Sequence, residues 1–433
     1  MKKYFNFRFT KGKKCGKMKD TKTFSKQSEQ ILIMYSKSRK MDMVHSDIRG
    51  PLFKETQKMM SQGIDVLRLN TGNPATFGFE MPDSVRGALL SGVDRAVAYC
   101  DPQGMPEARE AIRAYHEKRG VKDIEIEDIF IGNGVSELVN MAISALVNDG
   151  DEILVPTPCY TLWSNSIYLA GGKPVYYLCD EREGWNPDLS DMEKKITSKT
   201  RAIVIINPNN PTGAVYPKEI LEGIVALARK HKLILFSDEI YDRLVMDGVE
   251  HIPTATLAPD LLCITMNGLS KSHIICGFRC GWMLISGDKK SASDYLSGLY
   301  QLAAMRLCSN ALTQLVIPAA LADEESTKKL LIPGGRLYEQ REAAFREIEK
   351  IDGLTCVKNK AAFYIFPKID IRRFGITDDK KFALDLLHEK HILIVPGSGF
   401  EYTDQAHFRV VMLPEPDALA KAISDIGDFL HKK

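Results

Sequence analysis

The stretch Ala202-Ile-Val-Ile-Ile-Asn-Pro-Asn-Asn-Pro-Thr-Gly213 sets the fold class. Residues 202–206 are uniformly apolar and rich in β-branched side chains, as a strand buried on both faces requires. The run breaks at once into a loop with two prolines and one glycine in seven residues, which is rigid turn chemistry. Similar runs lie at 129–131, 152–155, 174–177, 233–236 and 262–265. Between them fall helical stretches at about 137–146, 160–169 and 218–231. This alternation predicts an α/β fold with a mainly parallel sheet sandwiched by helices. Ligands of such sheets gather at the carboxyl ends of the strands.

Farther along, a helical stretch at 336–350 leads to short strands at 354–357, 362–366, 393–395 and 408–411. Helices at 381–389 and 418–430 accompany them, and a helix at 52–61 with a strand at 66–69 adds to the set from the other end. A smaller α+β domain is the expectation. The expected division is a disordered basic tail at 1–40, a large domain at 75–325, and a small domain made of 41–74 and 326–433.

With 433 residues, 44% hydrophobic and 26% charged, the chain has ordinary globular composition and ample core. No apolar run approaches the ~18 residues of a membrane span. Nine cysteines without a repeated CxxC pair read as reduced thiols of a cytoplasmic protein with no metal site. The net charge of +2 hides an asymmetry, because residues 1–30 carry ten Lys/Arg and two Asp/Glu. The remainder is mildly acidic, which argues against nucleic acid as a partner. The basic segment lacks the apolar core of a secretory signal; a tail without catalytic role is expected, with a transit peptide or an upstream start codon as competing readings.

Chemistry-bearing residues follow the expected strands. Lys271 ends Asn267-Gly-Leu-Ser-Lys271, and Arg279 lies eight residues on in Gly277-Phe-Arg-Cys-Gly281. A lysine is a useful nucleophile when its pKa is lowered or when it is already condensed as an imine. The spacing suits an aldehyde cofactor held by Lys271, with Arg279 gripping its phosphate. Taken alone, the pair also reads as a surface lysine beside a structural arginine. Gly132-Asn-Gly-Val-Ser136 opens a helix whose free N–H groups suit a phosphate, or is a simple strand-to-helix turn. The asparagines of 207–213 present amides to a ligand or cap their own loop. Asp238, in Ser237-Asp-Glu-Ile-Tyr241, follows a buried run and so needs a partner, such as a protonated pyridine nitrogen, with Tyr241 near the ring oxygen. A helix cap is the plainer reading of Asp238. Tyr160 stacks on a planar ring or packs in the core. Arg409 invites a carboxylate or makes a structural ion pair.

Lys271 with Arg279, the loop 207–213, Asp238 with Tyr241, and Arg409, in this order and spacing, resemble the fold type I pyridoxal-phosphate aminotransferases over about residues 40 to 430. More narrowly, Asp47-Ile-Arg-Gly-Pro51, Gly132-Asn-Gly-Val-Ser-Glu137, residues 207–216 and Met305-Arg-Leu-Cys308 are similar to the alanine (glutamate–pyruvate) aminotransferases of the bacterial type. The resemblance implies a sheet of the seven-stranded type and pyridoxal 5′-phosphate as cofactor. It implies that Lys271, Asp238 and Tyr160 carry the chemistry: Lys271 forms the imine and moves the Cα proton, Asp238 keeps the pyridine nitrogen protonated, and Tyr160 stacks on the ring. Asn210 and Tyr241 contact the ring oxygen. Backbone N–H groups of Val135 and Ser136, with Ser270 and Arg279, hold the phosphate. Tyr99 reaches the phosphate of a partner subunit, so a homodimer is implied. Gly72, Asn210 and Arg409 bind the substrate, Arg409 through its α-carboxylate.

The implied reaction exchanges amino groups between L-alanine and 2-oxoglutarate, giving pyruvate and L-glutamate. Either Arg49 or Arg306 meets the distal carboxylate, or both are structural. Two departures stand out: Ala361-Ala-Phe-Tyr364 has alanine where many relatives carry glycine, and Tyr160 replaces a tryptophan found in some. Alternatives on the same fold are another amino-acid aminotransferase, a β-lyase, or a non-enzymatic regulator. The first forty residues lack the helix-turn-helix patterning that a regulator needs.

Overall fold

Alternation of apolar side chains across two faces builds the centre of the molecule. In a computed structural model, residues 35–48 and 50–432 are described. The chain divides into two units, Met1–Ser38 and Arg39–Lys433. The expected basic tail lies outside the described residues up to residue 34.

Among the described residues the largest sheet has eight strands: β1 Ile129–Asn133, β2 Glu152–Thr157, β3 Lys173–Asp180, β4 Asn186–Pro187, β5 Thr200–Ile206, β6 Ile234–Asp238, β7 Cys263–Gly268 and β8 Cys280–Ser286. Their order is β1-β8-β7-β6-β5-β2-β3-β4. The pairs β2–β3, β2–β5, β5–β6 and β6–β7 are parallel. β8 runs antiparallel to both β1 and β7. Seven long strands thus form the mainly parallel sheet, and two-residue β4 adds an antiparallel edge to β3. Sequence reading names no strand at 280–286; every residue of β8 is buried, and it forms because it fills the gap between β1 and β7.

Both faces of the sheet are covered. Ile203 and Ile205 of β5 pack with Ile112 and Tyr115 of helix Pro106–Lys118 and with Ile224 of helix Lys218–His231. The intervening Val204 and Ile206 pack on the other side with Leu138 and Ile143 of helix Val135–Leu146, Trp163 of helix Leu162–Ala170 and Leu299 of helix Ser293–Met305. This period of two is what a strand between two helical layers demands. The helix at 106–118 starts on Pro106, a position where the missing N–H costs nothing.

A second core gathers the two ends of the chain. Leu52, Met59 and Leu69 pack with Phe345, Ile348, Leu386, Phe408, Ile423 and Phe429. Leu67–Arg68 pairs in parallel with Ile392–Leu393. Strand Phe408–Val411 lies antiparallel between Tyr364–Ile365 and Val395–Pro396. Burial of residues so distant in sequence holds Arg409 under the ends of the large sheet.

Candidate active site

Three neighbouring parallel strands deliver the site. Asp238 is the last residue of β6 and is buried. Trp163 Nε1 donates to its carboxylate at 3.1 Å, and Ile240 N–H donates from 3.4 Å. Burial pushes the Asp238 carboxyl up to about 6, against the opposing pull of those two donors. A carboxylate so incompletely served wants a cationic N–H.

At the end of β7 the chain enters one helical turn, Leu269–Ser272, which carries Lys271. Lys271 Nζ donates to Gly72 O at 2.9 Å and lies 3.9 Å from Cys276 Sγ. Burial works to lower the amine's pKa, but Tyr364, Cys276 and Tyr160 around it outweigh burial and raise it. Tyr160 is half-buried in the turn before helix Leu162–Ala170. Gly72 cannot carry a side chain, because a Cβ would fall 2.2 Å from Tyr364 Oη and 2.6 Å from the Phe363 ring.

After β5 the two readings of loop 207–213 hold at different residues. Asn207 Oδ1 accepts from Tyr216 N at 2.9 Å, and Asn209 Oδ1 accepts from Thr212 Oγ1 at 3.0 Å, so these two build the loop. Asn210 instead accepts from Arg409 Nη1 at 2.9 Å. Arg409 is buried; its Nη2 donates to Asn70 O, and its Nε has no partner. Its guanidinium lies 4.4 Å from the Tyr364 ring centroid and 4.7 Å from that of Phe400. Among the described residues no carboxylate pairs with it, so the structural ion pair drops out. Burial lowers its pKa.

Gly134, at φ +82°, forms a cradle before helix Val135–Leu146. A Cβ on Gly134 would lie 2.5 Å from Arg279 Nη2, so the guanidinium covers this glycine closely. The first-turn N–H groups of Val135 and Ser136 have no intrahelical acceptors. Buried Ser270 precedes Lys271.

The sequence model of the family described as aminotransferase class I and II matches residues 64–426. The chain belongs to this family. It is 50% identical over 394 residues to the glutamate-pyruvate aminotransferase AlaA of Escherichia coli (strain K12), covering 91% of this chain and 97% of that protein. It is 46% identical over 404 residues to an alanine aminotransferase of Mycobacterium tuberculosis, with 93% and 94% covered. A solved aminotransferase from Escherichia coli superposes with a TM-score of 0.91 at 50% identity, over 92% of this chain and 98% of that one. An alanine aminotransferase from Pyrococcus furiosus does so with a TM-score of 0.86 at 37% identity, over 92% and 100%.

The cofactor of this aminotransferase is pyridoxal 5′-phosphate, and the residues present suit it. A half-buried amine is available for its aldehyde, an underserved carboxylate for its pyridine N–H, and a glycine under a guanidinium for its phosphate. Tyr241, buried, donates to Tyr364 Oη at 3.0 Å, and the Tyr364 ring lies under the Arg409 guanidinium.

Some expected residues stand apart in the aminotransferase. Tyr99, expected at the phosphate of a partner subunit, is 80% exposed. Arg306 pairs with Glu137 and donates to Ile131 O at 2.7 Å and Pro102 O at 3.3 Å, contacts of the kind its structural reading calls for. Arg49 lies outside the described residues. Two residues were not foreseen. Trp163 serves Asp238 from 75 positions away, with no sequence signal for the pairing. Tyr364 stood in a noted motif, where its closeness to Gly72, Tyr241 and Arg409 could not be read. Among the described residues no cluster of His, Cys, Asp or Glu could hold a metal, and no helix is long and apolar enough to cross a membrane.

Proposed function

We propose that this aminotransferase exchanges amino groups between L-alanine and 2-oxoglutarate, giving pyruvate and L-glutamate. The observation that carries the reading is Arg409, a buried guanidinium with no carboxylate partner among the described residues, held by Asn210 above the Tyr364 ring. An amino-acid or 2-oxo-acid α-carboxylate is the bidentate anion that such a site takes. The relatives named as glutamate-pyruvate and alanine aminotransferases support the substrate pair.

When bound, pyridoxal 5′-phosphate supplies an electron sink for charge developing at the substrate α-carbon. Asp238 would accept from the ring N–H and hold that proton in place. Asn210 and Tyr241 would meet the ring oxygen, and Tyr160 would cover the ring face. The N–H groups of Val135 and Ser136, with Ser270 and Arg279, hold the phosphate. Arg409 would fix the α-carboxylate, with Gly72 beside it, so that the Cα–H bond can face the Lys271 amine. Lys271 then takes and returns that proton, a proximity effect.

Residues 75–325 act as a large domain against which 41–74 and 326–433 close to exclude water. The active form is a homodimer in which Tyr99 reaches the phosphate of the partner's site. The exposed side chains of Val97, Tyr99, Met305 and Leu307 support this, since Arg306 joins their two loops through Pro102 O at 3.3 Å and a second copy would cover them. A cytoplasmic location is supported by the eight described cysteines, all free.

Half-reactions followed by absorbance test the proposal. Alanine alone should shift the cofactor's absorbance and yield one pyruvate per site, reversed by 2-oxoglutarate. Pyruvate and ammonia from a cysteine-like substrate, which carries a β leaving group that alanine lacks, with no amino transfer from alanine, would mark a β-lyase and overturn it.

A further inference from the structure

Asn210, Asp238 and Lys271 stand at the ends of three different strands, yet must act on one small molecule. A buried polar network that takes no part in the chemistry links all three strand ends. Asp242, four residues after Asp238, accepts from Tyr115 Oη at 2.5 Å and from Asn267 Nδ2 at 2.8 Å. Asn267 Oδ1 in turn accepts from Gly268 N at 2.6 Å, at the entry to the Lys271 turn. Arg119 caps helix Pro106–Lys118 and lies 3.7 Å from Asp242. Its Nη1 donates to Tyr115 Oη at 3.1 Å, and its Nη2 donates to His251 Nδ1 at 2.6 Å. With Nδ1 accepting, His251 carries its proton on Nε2, which donates to Asn207 O at 3.0 Å. Asn207 opens the loop that bears Asn210.

We propose that Arg119 is a positioning residue for transamination: through Asp242 and Asn267 it fixes the Lys271 turn, and through His251 it fixes the Asn210 loop. The planar fork of a guanidinium serves two partners at set angles, which a point charge cannot do. Burial keeps His251 neutral by pushing its pKa down to about 4, as the proton arrangement requires. Loss of the fork frees two loops at once, and displacements of about 1 Å at a reacting centre cost about 100-fold in rate. The inference rests on the proposed site but not on alanine as the substrate.

A cavity of about 1060 Å³ makes the idea testable. Tyr115, Arg119, Asp242, Arg243 and His251 line it. A guanidinium ion can therefore reach the space that Arg119→Ala would open. In that variant, cofactor affinity by equilibrium dialysis should weaken about tenfold, and kcat should fall about 100-fold with a smaller change in KM. Guanidinium chloride at non-denaturing millimolar concentration should recover much of the cofactor affinity, while sodium chloride at equal ionic strength should not. A folded Arg119→Ala protein with wild-type cofactor affinity and kcat, or one whose losses guanidinium leaves unchanged, overturns the proposal. Should that variant not fold, Arg119→Lys decides: it keeps the charge but not the fork, and wild-type cofactor affinity in it overturns the proposal equally. A failure of the site itself would look different, because the wild-type protein would then carry cofactor without using Lys271.

Discussion

Trp163 Nε1 and Asp238 Oδ2 are 3.1 Å apart, and this hydrogen bond is the strongest protein partner that the buried carboxylate has. Its other donor, Ile240 N–H, is at 3.4 Å. The indole therefore helps keep Asp238 anionic, which is the form able to hold a pyridine N–H. Trp163→Phe preserves most of the packing and removes only the donor. Cofactor affinity should weaken by roughly tenfold, in line with about 1.5 kcal/mol for a hydrogen bond to a charged group. Equilibrium dialysis of the variant checks this; unaltered affinity would show that the indole only packs.

The same carboxylate sets a pH dependence in the cofactor-free protein. Its folded-state pKa of about 6 lies above the ordinary 3.8. As pH rises from about 4 to 6 the unfolded chain gives up this proton while the folded protein keeps it, so stability falls across that window. The loss approaches about 3 kcal/mol at the top. Asp238→Asn removes it. The stability difference between Asp238→Asn and wild type, from denaturant titrations at pH 4 and pH 7, should grow with pH in favour of the variant. A constant difference would contradict the burial cost assigned to Asp238.

Arg409→Lys keeps a cation but loses the fork. The KM for alanine should rise about 100-fold, within the ~2–5 kcal/mol of a broken buried charge pair. Cofactor affinity should change far less, because Arg409 touches the cofactor site only through Asn210 and does not reach the cradle at Gly134. Steady-state kinetics and dialysis together separate the two effects.

Arg306→Gln should lower stability without changing substrate preference. It breaks the pair with Glu137 and the bonds to Ile131 O and Pro102 O, at a cost of about 3 kcal/mol. The ratio of KM for glutamate to KM for alanine should not change. A selective rise for glutamate would instead return Arg306 to the distal carboxylate.

Local pattern made the strand ends legible. Asp238, Lys271 and the 207–213 loop each end an apolar run, and in a parallel sheet the chemistry sits there. The start of helix Pro106–Lys118 is legible because a proline favours the first helical turn. The helices Asp83–Gly92 and Ser293–Met305 were not, since neither opens on a side-chain cap. What stayed hidden depends on pairing across long stretches of chain. Trp163 meets Asp238, Tyr364 meets Tyr241 across 123 positions, and Asp242 meets Tyr115 across 127. No periodicity encodes such contacts. The competing readings of Arg409 and of the three loop asparagines likewise separate only once their neighbours are in place.

The most direct test concerns Lys271. Borohydride reduction of the yellow protein, followed by peptide mass mapping, locates the amine joined to the cofactor aldehyde. The expected result is one phosphopyridoxyl group per chain, on Lys271, and no incorporation or turnover in Lys271→Ala. A label on another lysine, or full transaminase activity in Lys271→Ala, would contradict the site at its root.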